Sequence, residues 1–393
     1  MKKFIKSILS SFIIRLYKDY IYNRMIFNYL KDNNTKNALL SYIIDPFIED
    51  SFIHTNFYEA RAVVSILGEL GYNVDIIDYR RTANIDLEKY DLIYGFGDIF
   101  QKYFESPNVK NTITIYYGAG MHVSHQNQAT LTRLRDVFVK KGHWIGKSVR
   151  FVEKTWTHQT ALVDGIIALG NKICADSYRK YYINKQGLIL EQPATFFQTK
   201  NAFDIIKNRL PGAKKHYLWF GSDGLIHKGL DILLEYFAAN KDLTLHICGS
   251  VANEPDFIKI YKSELNSNNI ILHNFIDINS NEFEDILRKC LFVVFPSCSE
   301  GGSPSILTVI GNGGLIPIIT KETTVDIKSA VFIDSFDYKS LDKSIQESQR
   351  IPKNELLNLQ IENLKFILQH NSQEAYYNHL KNNIENIIKS RSL

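Results

Sequence analysis

The sequence predicts an α/β protein of two Rossmann-like, doubly wound domains that face each other across a cleft. Three observations lead there. The chain has 393 residues, and at roughly 150 residues per domain that calls for two to three domains. From Asn37 onward, short apolar runs alternate with stretches of helical period, the pattern of a parallel sheet with crossover helices. At mid-chain, Gln192–Lys215 holds Pro193, Pro211 and Gly212, breakers suited to a linker.

Residues 1–36 read as a basic amphipathic helical segment. Lys2, Lys3, Lys6, Arg15, Lys18, Arg24 and Lys31 stand against one acid, Asp19, and Ile5, Ile8, Leu9, Phe12, Ile13, Leu16 and Tyr17 recur at three- and four-residue spacing. Ser10 and Ser11 break the apolar stretch and no small-residue cleavage site follows, so it is not read as a secretory signal. Two roles fit: a helix packed on the protein's own body, or a peripheral contact of residues 2–31 with anionic membrane.

Residues 37–205 form the first Rossmann-like domain, with strands expected at Ala38–Ile44, Val74–Tyr79, Asp91–Gly95, Thr112–Tyr117, Gly165–Leu169 and Leu188–Leu190. Residues 206–350 form the second, with strands at His216–Phe220, Leu243–Cys248, Ile270–Phe275, Leu291–Phe295, Leu315–Ile319 and Ala330–Ile333. Most of these runs are apolar at successive positions, as strands covered on both faces must be. Residues 351–393 read as long polar helices.

Composition narrows the function classes. A content of 45% hydrophobic and 22% charged residues is that of a folded globular protein. The net charge of +4 is too small for a general polyanion-coating protein, so nucleic acid is not an expected partner. Cys174, Cys248, Cys290 and Cys298 form no CxxC pair and are expected as buried thiols of a reducing compartment. No run of 18 uncharged apolar residues predicts a membrane span.

In open parallel sheets ligands bind beyond the carboxyl ends of the strands, so those loops carry the chemistry. After LFVVF comes PSCSEGGSPSILTVIGNGG: Glu300 is an acid at a strand end, Gly301 and Gly302 admit close backbone approach, and Ser303 before Pro304 is a good start for a helix. The free N–H groups of that helix suit a phosphate or a sugar hydroxyl. After HYLWF comes GSDGLIHKGLDILLEYF, where Gly221 and Gly224 keep the turn small and Lys228 precedes an amphipathic helix. A lysine there can meet a diphosphate as a point charge.

In the first half, HTNFYEA places Thr55 and Asn56 toward the cleft, with Asn56 and Glu59 spaced as a capping box. GAGMHVSHQNQ places His122 and His125 behind Gly118 and Gly120. Neither Gly95-x-Gly97 nor Gly118-x-Gly120 is completed as a dinucleotide fingerprint, because Phe100 and Val123 occupy the third position. HExxH, GxSxG and Walker patterns do not occur. No Cys, Asp or Glu completes a metal set with His122 and His125, so no metal site is expected.

FGSDGLIHKGLDILL, LTLHICG, ILHNFI and FPSCSEGGSPSILTVIGNGGLIPIIT, in this order over about residues 216–335, resemble the retaining glycosyltransferases of the GT-B fold, in particular glycosyltransferase family 4. The resemblance implies a nucleotide-sugar donor held mainly by the second domain and a glycan or lipid-linked acceptor held mainly by the first. Glu300 matches the first acid of the family's E-x7-E element, which holds the donor sugar, with Gly301, Gly302 and Ser303 offering amides. Lys228 matches the lysine that contacts the donor phosphates, and His122 a first-domain histidine near the reacting sugar. Donor contacts are also implied for Gly221, Ser222 and Gly224, and Thr55, Asn56 and His125 are expected to line the cleft.

Two positions depart from the pattern: Thr308 stands where the second acid belongs, and Ser222 where a basic residue belongs. A threonine carries no charge for ribose hydroxyls, and a serine offers no fork to a phosphate. The resemblance implies a cytoplasmic transferase, working with retention and without metal or other cofactor in surface polysaccharide or glycoconjugate synthesis, at the inner face of the membrane if the basic segment binds lipid. The alternatives are a non-catalytic nucleotide-sugar-binding or assembly protein on the same fold, and a sugar-nucleotide epimerase.

Overall fold

The computed structural model describes residues 20–49, 54–106, 111–154, 160–182, 188–327 and 329–391. The first domain runs β1 (Met25–Ile26), β2 (Lys36–Tyr42), α1 (Thr55–Glu69), β3 (Tyr72–Asp78), β4 (Leu92–Gly95), α2 (Asp98–Glu105), β5 (Ile113–Gly118), α3 (Val123–Lys141), β6 (Gly165–Leu169), α4 (Lys172–Arg179) and β7 (Ile189–Gln192). After α5 (Ala202–Lys207), the second runs β8 (His216–Phe220), α6 (Leu230–Ala239), β9 (Thr244–Cys248), α7 (Pro255–Ile260), α8 (Lys262–Leu265), β10 (Ile270–Asn274), α9 (Asn281–Lys289), β11 (Phe292–Phe295), α10 (Pro304–Gly313), β12 (Ile316–Ile319) and β13 (Val331–Phe332). The chain closes with α11 (Tyr338–Arg350), α12 (Lys353–His370) and α13 (Gln373–Arg391).

Among the described residues the sheets are ordered β1-β3-β2-β4-β5-β6-β7 and β10-β9-β8-β11-β12-β13. Every named pair is parallel except β1 on β3. All twelve expected strands form. Central residues of most of them, among them Leu39, Leu40, Ile93, Val293, Val294 and Ile318, are sealed from solvent between helical layers, whereas Ile271 and Leu272 of the edge strand β10 are exposed. In the second sheet β8 has its sequence successor β9 on one side and β11 on the other. The order therefore reverses at β8, and the loops leaving β8 and β11 open onto the crevice such a switch point creates.

Past residue 24 the N-terminal segment is not the helix expected of it. The amphipathic face Ile5–Tyr17 lies outside the described residues. Farther on, residues 25–36 are strand and loop: Met25 and Ile26 pair with Ile77 and Ile76, Tyr29 N donates to Val74 O, and Asn28 N donates to Asp75 Oδ1. The sheet edge, not helical period, claims this stretch. No helix among the described residues is long and apolar enough to cross a membrane. All four cysteines are buried and unpaired.

The last two helices divide between the domains. Arg209 Nε donates to Gln360 Oε1 at 2.9 Å, tying α12 to the second domain, whereas α13 returns to the first. Ile387 covers Gly165 so closely that a Cβ there would lie 2.4 Å from its Cδ1. Lys381 on α13 pairs with Glu69 on α1.

The cap expected of Asn56 and Glu59 is made by another residue. His54 precedes α1, and its Nδ1 accepts from Asn56 N at 3.3 Å. Glu59 turns inward instead, 3% exposed, and accepts from Tyr42 Oη at 3.3 Å and Tyr117 Oη at 3.0 Å. Burial lifts its carboxyl to about 7 despite the tyrosine donors. Its ordinary value is 4.5, so between these two pH values the folded state holds a proton that the unfolded state has lost. Stability therefore falls as pH rises through that window, by on the order of 3 kcal/mol, and is level above it. Glu59→Gln removes this decline; unfolding midpoints measured from pH 4.5 to 8 check it, and an unchanged slope refutes it.

Candidate functional site

The acid and the ammonium stand at the ends of adjacent strands, close enough for each to act on the other's charge. Glu300 follows β11 and Lys228 follows β8, and these strands are paired. Glu300 is 9% and Lys228 4% exposed. Each is held by its own serine: Ser297 Oγ donates to Glu300 Oε1 at 2.7 Å, and Lys228 Nζ donates to Ser222 Oγ at 2.9 Å. Burial by itself would raise the Glu300 carboxyl, but Lys228, then Arg150 and His227, and the Ser297 hydroxyl outweigh it and hold it below the usual range. Burial lowers Lys228, an effect Glu300 opposes and Arg150 reinforces. A charged pair kept this far from water is retained only where opposite charges compensate each other.

The glycines around the pair are needed. Gly301 faces the first domain's loop after β5: a Cβ there would lie 2.5 Å from Ala119 O and 2.9 Å from Gly120 Cα. Gly302 has φ +66° and would place a Cβ 2.4 Å from that of Ala194. Gly301→Ala can relieve its contact only by parting the two loops. It is expected to lower kcat/KM by up to about 100-fold, the loss a displacement near 1 Å can cause, and undiminished kcat/KM would show that the loop contact does not set the site.

Several predicted amides are already spent. Gly302 N donates to Thr324 Oγ1 at 2.7 Å, and Gly224 N to Glu254 Oε1 at 2.6 Å. Gly221 N donates to Cys248 O. At the Glu300 loop the Gly301 and Ser303 amides carry no such bond among the described residues. Ser303 precedes α10 as expected but does not cap it with its side chain. It sits at φ 37°, ψ 68° and its Oγ donates to Thr323 O at 2.8 Å, because the tight turn at Gly302 aims it at the neighbouring loop. Thr308 Oγ1 donates to Pro304 O at 2.7 Å, one turn back on its own helix. Its proton is thus committed, and only its lone pairs remain for a ligand.

The first-domain histidines fare differently from expectation. His122 is 2% exposed; its Nδ1 accepts from Ser124 N at 3.2 Å as the cap of α3, and its Nε2 meets Tyr182 Oη at 3.0 Å. Its ring stacks on Tyr181 at 4.4 Å between centroids, and burial pushes its pKa down to about 4. With both nitrogens occupied, His122 is a neutral, buried cap of α3 inside an aromatic box. His125 is half-buried, with Glu322 of the second domain and Lys180 as its charged neighbours. Thr55 is buried at the start of α1. His54 beside it is depressed by burial first and then by Lys228 and Arg150, which places this loop at the cleft.

The histidine that does reach the acid is His227. It is fully buried and spans the domains: Thr130 Oγ1 on α3 lies 2.6 Å from its Nδ1, and its Nε2 lies 2.6 Å from Ser299 O. A carbonyl only accepts, so Nε2 carries the proton and Nδ1 accepts from Thr130. Burial holds this imidazole down at about 4, so it stays neutral. It was legible in the sequence only as the neighbour of Lys228. Arg150, which no sequence motif marks, sends Nη1 to 3.7 Å from Glu300 Oε2 out of the loop that follows α3, not one that follows a strand.

Beside this loop the first domain holds a cavity of about 600 Å³, lined by rings of Phe96, Tyr116, Tyr117 and Tyr178 and by Gln126 and Arg150. Aromatic faces with a few polar groups suit a small polyhydroxylated ligand. Among the described residues no group of three or more His, Cys, Asp or Glu side chains is arranged to hold a metal ion.

The architecture is that of the GT-B glycosyltransferases. Sucrose-phosphate synthase from Thermosynechococcus elongatus superposes with a TM-score of 0.62 at 14% identity, over 90% of this chain and 99% of that one. HepE of Anabaena, solved with UDP and glucose, gives 0.54 at 10% identity over 89% and 99%. An α,α-trehalose-phosphate synthase (UDP-forming) from Burkholderia xenovorans, solved with glucose-6-phosphate, gives 0.54 at 9% identity over 89% and 100%. No protein-family model and no curated protein sequence matches the chain.

Proposed function

We propose that this protein is a glycosyltransferase that moves a sugar from a nucleoside-diphosphate donor to an acceptor hydroxyl with retention of configuration, in the assembly of a surface polysaccharide or other glycoconjugate. The observation that carries the reading is the pair Glu300 and Lys228, buried at the ends of adjacent strands, each fixed by a serine, beside a ring-lined cavity of the opposite domain. Sharing a fold with HepE, which was solved with UDP and glucose, supports it.

In this reading Glu300 accepts from hydroxyls of the donor sugar and Lys228 meets the diphosphate. The acceptor oxygen bonds to the anomeric carbon as the bond from that carbon to the diphosphate oxygen breaks. The acceptor's proton passes to the leaving phosphate, so no side-chain base is invoked. Negative charge grows on the leaving oxygen and positive charge on the ring. A preorganised ammonium and carboxylate in a site shielded from water stabilise both.

The test is a screen of the intact protein against UDP-, GDP-, ADP- and dTDP-sugars, read first as thermal stabilisation and then as diphosphate release with glycan or lipid-linked acceptors. One donor should both stabilise the protein and turn over only with an acceptor. Binding without turnover favours the non-catalytic reading, which Thr308, with its proton committed to Pro304 O, keeps in play. Product formed without acceptor identifies an epimerase.

A further inference from the structure

Resting on the donor-site reading above, we infer that Arg150, carried by the first domain, is the second cation on the donor's diphosphate, so the phosphate site is complete only when the two domains are closed. Lys228 offers a single point charge, and its neighbour Ser222 spends its oxygen on that ammonium at 2.9 Å. A diphosphate carries more charge than one ammonium neutralises, and a guanidinium fork can take two of its oxygens at once.

Arg150 is the side chain placed to do this. Its Nη1 stands 3.7 Å from Glu300 Oε2, longer than a hydrogen-bonded ion pair, while Glu300 already accepts from Ser297. The Arg150 side chain is 51% exposed, so its fork can turn to an incoming anion. Its stem lies over the Lys228 loop: Gly224, at φ +90°, would put a Cβ 2.7 Å from Arg150 Cγ. The backbone that presents it is pinned from both domains. Ser148 O accepts from Ile226 N at 3.0 Å and His227 N at 3.3 Å, across the domain boundary. On its own side Gln126 Nε2 donates to Arg150 O at 2.8 Å, and Asn127 bonds both polar groups of the Val152 backbone at 2.9 Å.

The contact with Glu300 also says which phosphate Arg150 takes. If Glu300 holds the sugar, a guanidinium beside it stands at the sugar-bearing, distal phosphate. A monophosphate lacks that group.

The test compares UDP and UMP, with GDP, ADP and dTDP in reserve, by calorimetric titration of the wild type, Arg150→Ala and Arg150→Lys. Arg150→Ala should weaken diphosphate binding roughly 10- to 100-fold, leave the monophosphate unchanged and keep the melting temperature. Arg150→Lys should recover part of the loss. Because Ser222 Oγ touches Lys228 Nζ, a cation at 222 reaches the same phosphates from within the second domain, and Ser222→Arg should rescue Arg150→Ala. Equal diphosphate binding by the wild type and Arg150→Ala, or equal losses for mono- and diphosphate, overturns the assignment of Arg150 alone. A wild type that binds none of the nucleoside diphosphates overturns the donor-site reading beneath it.

Discussion

Glu300→Ala is expected to lower turnover by roughly 10²- to 10³-fold, the loss that follows when one preorganised polar group is taken from a reacting centre. The size follows from how thoroughly this carboxylate is fixed. It is nearly sealed from water, accepts from Ser297 at 2.7 Å, and has Lys228 as its leading charged neighbour. Removing it leaves Lys228 buried without the acid that supports its charge, so the ammonium pKa drops further. The alanine variant therefore also loses stability. Glu300→Gln keeps shape and one acceptor oxygen for Ser297 but not the charge, so it avoids the cavity while leaving Lys228 equally unsupported. Its kcat should fall comparably, and its melting temperature should lie between those of the alanine variant and the wild type. Wild-type kcat in both variants would remove Glu300 from the site.

The largest expected effect on stability comes from Arg133→Ala. Arg133 on α3 sends Nη2 to Asp231 Oδ2 on α6 at 2.6 Å, and the two side chains are 2% and 1% exposed. The pair lies between the domains, one helix from each. Deleting the guanidinium leaves a carboxylate buried and unpaired, which costs about 3–5 kcal/mol. A joint change to Arg133→Met and Asp231→Leu removes both charges and should recover most of that loss, since burying the pair contributes little net free energy once desolvation is counted. Denaturant midpoints of the single and double variants check this. If Arg133→Ala unfolds at the wild-type midpoint, the pair does not hold the domains. An intact midpoint combined with lost activity would instead assign it to domain placement during turnover.

Local patterning reached far into this molecule. Gly165–Leu169 and His216–Phe220 begin and end where their apolar runs do. Elsewhere strand ends move by a residue or two, because ladder hydrogen bonds, not hydropathy, set the last paired residue. Met25–Ile26 was hidden for a related reason: two residues are too few to show a period, and only the exposed edge of β3 makes them a strand. His54 displaced Asn56 as the cap of α1 because Glu59, the far half of the expected box, was drawn inward by Tyr42 and Tyr117. Ser303 and Thr308 occupy the expected places but direct their hydroxyls to Thr323 and Pro304, a choice made by neighbouring backbone.

By itself the sequence determined the two parallel sheets, and with them the meeting of Glu300 and Lys228, because both follow buried strands and the crossover rule brings such loops to one edge. Only the tertiary structure decided what surrounds that pair. Arg150 reaches Glu300, Thr130 meets His227, and Arg133 finds Asp231, all between residues that lie roughly 100 to 150 positions apart and on opposite domains. Periodicity along a chain reports which face of an element is buried. It holds no information on which loop of another domain will dock against it, and that docking sets the charges at the site.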